Sequence, residues 1–164
     1  MTGVDAVRAS LQSTGHLVSW FLSDLSDADL LVRPADGANH IAWQMGHLIQ
    51  SEAGIVREQL PDAVYPELPA GFAAQHGKDT QMTNPPPGFA SKASYIELFD
   101  RVRQATVAAL GRLSDADLDR PSIGRMAPFA PRLGDMFLLV ANHSLMHAGQ
   151  FSVVRRKLGR PVLF

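Results

Sequence analysis

Apolar residues recur in alternating steps of three and four along four stretches of this chain. Val4, Val7, Leu11, Thr14, Val18, Phe21 and Leu25 form one stripe, with Asp5, Arg8, Gln12 and Ser19 off it. Such spacing covers one side of an α-helix. A second stretch, with Asn39 as its expected N-cap, runs "HIAWQMGHLIQSEAGIVREQL" to Pro61 and carries Ile41, Leu48 and Ile55 at heptad positions. The third covers about Lys92 to Leu113, with Leu98, Val102, Ala105 and Ala109 on its stripe. The fourth, about Leu133 to Leu158, places Phe137, Val140, Ser144, His147, Phe151, Val154 and Leu158 in strict three-four order before Gly159 and Pro161 stop it. No stretch alternates with a period of two. The pattern predicts an all-α four-helix bundle, as one domain over residues 1–164.

The hexamer "LSDADL" occurs twice, at Leu25–Leu30 and Leu113–Leu118, each time followed by Arg-Pro (Arg33-Pro34, Arg120-Pro121). With Ser26 as N-cap, Asp29 falls at N3, a capping box, and Leu25 and Leu30 take the positions of a hydrophobic staple. Ser114, Asp117, Leu113 and Leu118 repeat the arrangement. Each copy thus ends a long helix and starts a short turn, which the residue before proline halts. Two corners that converged on good capping chemistry explain this. So does duplication of a helical hairpin about a pseudo-twofold axis, which the matching order of the flanking elements favours.

Between the halves, Pro61 to about Ser91 is rich in Pro, Gly and Ala and includes "LPAGF" and "NPPPGF". A structureless loop of that length is uncommon in a compact domain. A crossover along the bundle accounts for it, letting the second and third long helices run parallel. A helix of about 20 residues is ~30 Å long, well within its reach. A short helix near Phe72 to His76 and a lid over one bundle end are further expectations for this segment.

Composition narrows the chemistry. The 164 residues carry a net charge of -1 with no basic run, which argues against nucleic acid as a partner. No stretch approaches the ~20 apolar residues of a membrane span, and "MTGVDAVRAS" lacks the plan of a signal peptide; a cytoplasmic location is the default expectation. With no cysteine, disulfides and thiolate metal sites are excluded, leaving histidine and carboxylate as ligands.

Histidine is where the pattern breaks. His143 and His147 lie four apart on the fourth helix, and His147 takes a core position; His47 sits beside core Leu48 on the second. A buried imidazole needs partners for both nitrogens or costs on the order of 1–3 kcal/mol. A divalent cation resolves this by accepting each lone pair while the other nitrogen donates elsewhere, and three histidines would leave a position open for water or substrate. Hydrogen-bonded core histidines are the plainer alternative. Ser144 rather than glutamate follows His143, so the zincin motif and its built-in general base are absent. His40 is an alternative ligand, though a helix-start or pocket-rim role suits it better. Gln150 is placed to touch a bound water or ligand, or only backbone. Trp43 is expected to wall a pocket, and Glu52 to reach a metal only indirectly. His16 reads as a surface residue and His76 as a loop residue. Arg155, Arg156 and Lys157 complement the dipole of the fourth helix.

Taken together, "HIAWQMGHL", "LSDADLDRP", "NHSLMHAGQFSVVRRKLGRP" and, more weakly, "LPAGFAAQHGK" resemble the DinB-like superfamily, the DinB/YfiT-like metalloenzymes, over nearly the whole chain. The resemblance implies an up-down-down-up bundle and a divalent-metal site, usually zinc or nickel, held by His47, His143 and His147. It further implies that a homodimer is common. Some relatives are transferases or isomerases that use low-molecular-weight thiols. Three functions are therefore expected to compete: a thiol-dependent S-transferase acting on a small molecule, a metal-dependent hydrolase, and a non-catalytic module stapled by its metal.

Overall fold

The computed structural model describes residues 1–77, 88–161 and 163. Four long helices dominate them: α1 (Gly3–Leu22), α2 (Ile41–Gln59), α4 (Lys92–Leu110) and α6 (Leu133–Lys157). One-turn helices α3 (Phe72–Gln75) and α5 (Asp115–Leu118) and a 3-10 turn (Asp29–Leu31) lie in the connections. The expected short helix is thus present. Residues 84–87 of the "NPPPGF" stretch and much of the suggested lid fall outside the described residues.

Hydrogen bonds at the helix ends fix the directions. Arg155, near the end of α6, donates to Phe21 O and Asp24 at the end of α1, so these two run parallel. Lys92, at the start of α4, reaches Ser23 and Leu25 carbonyls beyond the end of α1, so α4 is antiparallel to it. Gln59, closing α2, clamps Ile123 ahead of α6, which sets α2 antiparallel to α6. The order is up-down-down-up. α1 packs on α6 and α4, and α2 packs on the same two. The two long helices of each half therefore lie diagonally across the bundle, and neither half is the contacting hairpin that a duplicated hairpin would give.

The repeat is nonetheless real in three dimensions. Ser26 N donates to Asp29 Oδ2 (2.8 Å) and Asp29 N to Ser26 Oγ (3.2 Å); Ser114 and Asp117 repeat this at 2.8 and 3.3 Å. The remaining aspartate of each copy caps the first long helix of the other half. Asp27 accepts from Lys92 N (2.7 Å), and Asp115 from Gly3 N and Val4 N (3.0 and 2.9 Å). Each carboxylate faces the positive end of a helix dipole. One hexamer therefore caps its own turn and the opposite half's leading helix, which is why its spelling is shared.

Burial repeats as well. Val7, Leu11, Thr14, Gly15, Val18, Phe21 and Leu22 of α1 match, 88 residues on, Tyr95, Phe99, Val102, Arg103, Thr106, Ala109 and Leu110 of α4, and all are buried. Ile41, Gln44, Met45, Leu48, Ile49, Glu52 and Val56 of α2 match, 92 residues on, Leu133, Met136, Phe137, Val140, Ala141, Ser144 and Ala148 of α6, again all buried. This corrects the expected α4 stripe: Leu98 and Ala105 are only half-buried, because polar Arg103 and Thr106 occupy core positions that an apolar pattern passes over.

Those polar residues meet at the bundle centre. Arg103 donates to both Glu52 oxygens (Nε to Oε1 2.9 Å, Nη2 to Oε2 2.9 Å), to Ser144 Oγ (2.8 Å), to Thr14 Oγ1 (3.0 Å) and to the Leu11 carbonyl. One guanidinium ties all four long helices together. Gly15, its counterpart on α1, packs against it: a Cβ there would make an ordinary contact, 3.6 Å from Arg103 Cγ.

Candidate metal centre

The start of α2 is built differently from expectation. His40, not Asn39, is the N-cap, with its Nδ1 accepting from Trp43 N at 3.2 Å. Asn39 contributes instead its backbone carbonyl, to Gln44 Nε2 at 2.6 Å. Burial pushes His40 down to about 4, so it stays a neutral cap at pH 7, and its ring edge meets Phe89. His40 is thus a helix-start residue and is not part of the group formed by His47, His143 and His147.

One and two turns further on, α2 presents Trp43 and His47 to α6. The rings of Trp43 and His47 stack at 5.0 Å with 9° between planes, while the indole N–H donates to Gly77 O (3.2 Å). His47 then faces His143 and His147, with ring centroids 5.1 and 5.5 Å away. Among the described residues, one ligand nitrogen from each of the three falls within 4.8 Å of the others, a group that could hold a metal ion. No carboxylate belongs to it. His147 is buried, and His47 and His143 half-buried. The structure thus brings together the three histidines that the sequence picked out.

Their protonation follows from Gln44, a residue that sequence reasoning passed over. Its amide nitrogen is committed to the Asn39 carbonyl, so its Oε1, 2.7 Å from His147 Nδ1, must accept. His147 Nδ1 therefore carries the proton, and Nε2 presents a lone pair 3.2 Å from His143 Nε2. A carbonyl holding the far nitrogen of an imidazole is the arrangement that orients metal ligands. Burial first, then neighbouring His143 and His47, lower His147 to about 3; burial and His47 lower His143 to about 4. Both are neutral donors at pH 7, and the donor set fits a divalent cation. The one sequence signal for Gln44 is a polar residue in the midst of the core stripe of α2.

The crossover closes one side of the site. His76 lies in the connection, just past α3, yet is fully buried: its Nδ1 bonds Phe72 O (2.8 Å) and its Nε2 Tyr95 Oη (2.7 Å). Its ring lies so close to α2 that a Cβ at Gly46 would sit 2.1 Å from His76 Cδ2. Gln50 Nε2 adds a bond to His76 O (2.9 Å). With this segment docked behind Trp43, access comes from the other side, where a cleft of about 1030 Å³ runs between α2 and α6 and includes His47 and His143. Trp43, Gln150 and His40 are not among its walls. Trp43 braces His47 from behind, and half-buried Gln150 sits outside the cleft. Glu52 is engaged by Arg103, and His16 is exposed.

The DinB superfamily profile matches residues 10–151. The chain belongs to the DinB superfamily. Among solved structures it is similar to YfiT from Bacillus subtilis, with a TM-score of 0.68 and 17% identity over 96% of this chain and 89% of that one. That protein is described as a probable metal-dependent hydrolase with an unusual four-helix bundle topology. At this identity the likeness concerns the fold, and the diagonal up-down-down-up arrangement agrees with it. No curated protein matches the chain. Among the described residues of this DinB-superfamily chain, no helix is long and apolar enough to cross a membrane.

Proposed function

We propose that His47, His143 and His147 hold a divalent ion, zinc or nickel, and that the protein is a metal-dependent enzyme acting on a small molecule in the adjoining cleft. The observation that carries this is the Asn39–Gln44–His147 relay, which fixes a lone pair on His147 Nε2 among three neutral imidazoles. When bound, such an ion supplies Lewis acidity, lowering the pKa of a coordinated water to about 7 and deprotonating a coordinated thiol. The chain's own contribution is positional. Gln44 sets the tautomer of His147, Trp43 stops His47 from turning away, and the docked crossover restricts water to the cleft side.

Thiol-dependent S-transfer with a low-molecular-weight thiol is the first reading, because the ligand cluster contains no carboxylate to take a proton from water. Hydrolysis, described as probable for YfiT, is the second. Tag-free protein loaded with zinc or nickel, assayed on esters and on electrophiles with and without thiols, separates them. S-transfer predicts turnover that requires the thiol; hydrolysis predicts ester turnover that does not. No turnover above free metal, together with a sharp drop in Tm on chelation, identifies a non-catalytic staple. A homodimer is the expected assembly, supported by exposed Leu145 and Val153 on α6, and is tested by mass in solution.

A further inference from the structure

The loop before α6 is pinned. Gln59 clamps Ile123 through both amide atoms (2.8 and 2.9 Å), Ser122 N bonds Pro131 O (3.0 Å), and Leu133 N bonds Arg120 O (2.9 Å). Gly124 sits at φ 83°, a left-handed backbone conformation that favours glycine, and this brings the chain against the Glu58 carboxyl group at the end of α2. A loop this firmly held still leaves Phe129 78% exposed over the cleft. It also leaves Arg125 lining the cleft without an ion-pair partner among the described residues. Large apolar groups held exposed on an ordered loop mark a contact surface.

The floor of the cleft adds a direction. In the twofold correspondence between α2 and α6, Leu139 answers to His47 and Ile55 to His147, and both line the cleft. Two of the three positions that answer to histidines are therefore apolar, with Ser51 at the third. Beyond them, Arg125 stands by the Glu58 end of α2, eleven residues past His47, which at 1.5 Å per residue is about 16 Å away.

We propose that the cleft takes an elongated amphipathic small molecule, with a metal-ligating group at the histidines, an apolar body along Ile55, Leu139 and Phe129, and a terminal carboxylate held by Arg125. The inner end rests on the metal reading above; the outer end stands on the loop and cleft alone.

Zinc-loaded protein titrated calorimetrically with mercaptoundecanoic acid and with mercaptoundecanol tests it. The acid should bind roughly tenfold more tightly, the worth of one charge-assisted contact. Arg125→Gln should erase that ratio, and Phe129→Ala should weaken both ligands alike. Mercaptopropionic acid, too short to span the cleft, should gain nothing over mercaptopropanol. Equal affinity of the long acid and alcohol, or a ratio unchanged in Arg125→Gln, overturns the proposal. Titrating zinc alone reports separately on the triad. Should zinc fail to bind, undecanoic acid against undecanol on the metal-free protein still tests Arg125, so the two failures are distinguishable.

Discussion

The N-terminal half (α1 and α2) and the C-terminal half (α4 and α6) bury the same positions and diverge at a few. Gly15 faces Arg103, Glu52 pairs with that arginine while its counterpart Ser144 only accepts from it, and Ser51, Ile55 and Leu139 stand where the other half has His143, His147 and His47. The shared positions specify the bundle and its caps; the unshared ones supply its polar centre and its candidate site. The two-histidine turn exists on α6 alone, so the cleft has one coordinating end and one apolar end.

The sharpest way to break this comparison is at Arg103. Arg103→Met strands a buried carboxylate and should cost about 3–5 kcal/mol in denaturant unfolding, whereas Glu52→Leu combined with Arg103→Met should recover most of it. Acid comes next. His40, His143 and His147 lie near 4, 4 and 3 when folded and near 6.5 when unfolded. Between those values the unfolded chain binds more protons, so metal-free stability should be full above pH 6.5 and fall as pH drops toward 3, by up to ~1.4 kcal/mol per pH unit for each such histidine. Equilibrium unfolding at stepped pH reads this directly. Gln44→Leu should leave the fold intact yet weaken metal binding by roughly 10–100-fold, as seen by competition with a chelator. The smallest effects test the symmetry itself: Asp27→Ala and Asp115→Ala should each lower Tm slightly, and by similar amounts, in thermal melts.

Much of this was legible in the sequence. The stripes of α1 and α6, the capping boxes and the three histidines all follow from spacing, because each is a local pattern or a family motif. Asn39 as N-cap and the Leu98 and Ala105 positions of the α4 stripe did not survive, since a buried imidazole and a buried guanidinium took positions that local rules assign elsewhere. The Gln44 relay, the docking of His76 against Gly46 and the pinned Gly124 loop depend on contacts between distant segments, which no period along the chain encodes. Trp43, expected to wall a pocket, shows the same thing: it is one turn from His47 in sequence, but it bonds Gly77 of the crossover and lies outside the cleft.

The most direct measurement is the metal content of tag-free protein, set against that of His147→Ala. One divalent ion per chain in the former, and loss of it in the latter with helical circular dichroism unchanged, is the predicted result. No stoichiometric ion, or the same occupancy in the variant, would contradict the account.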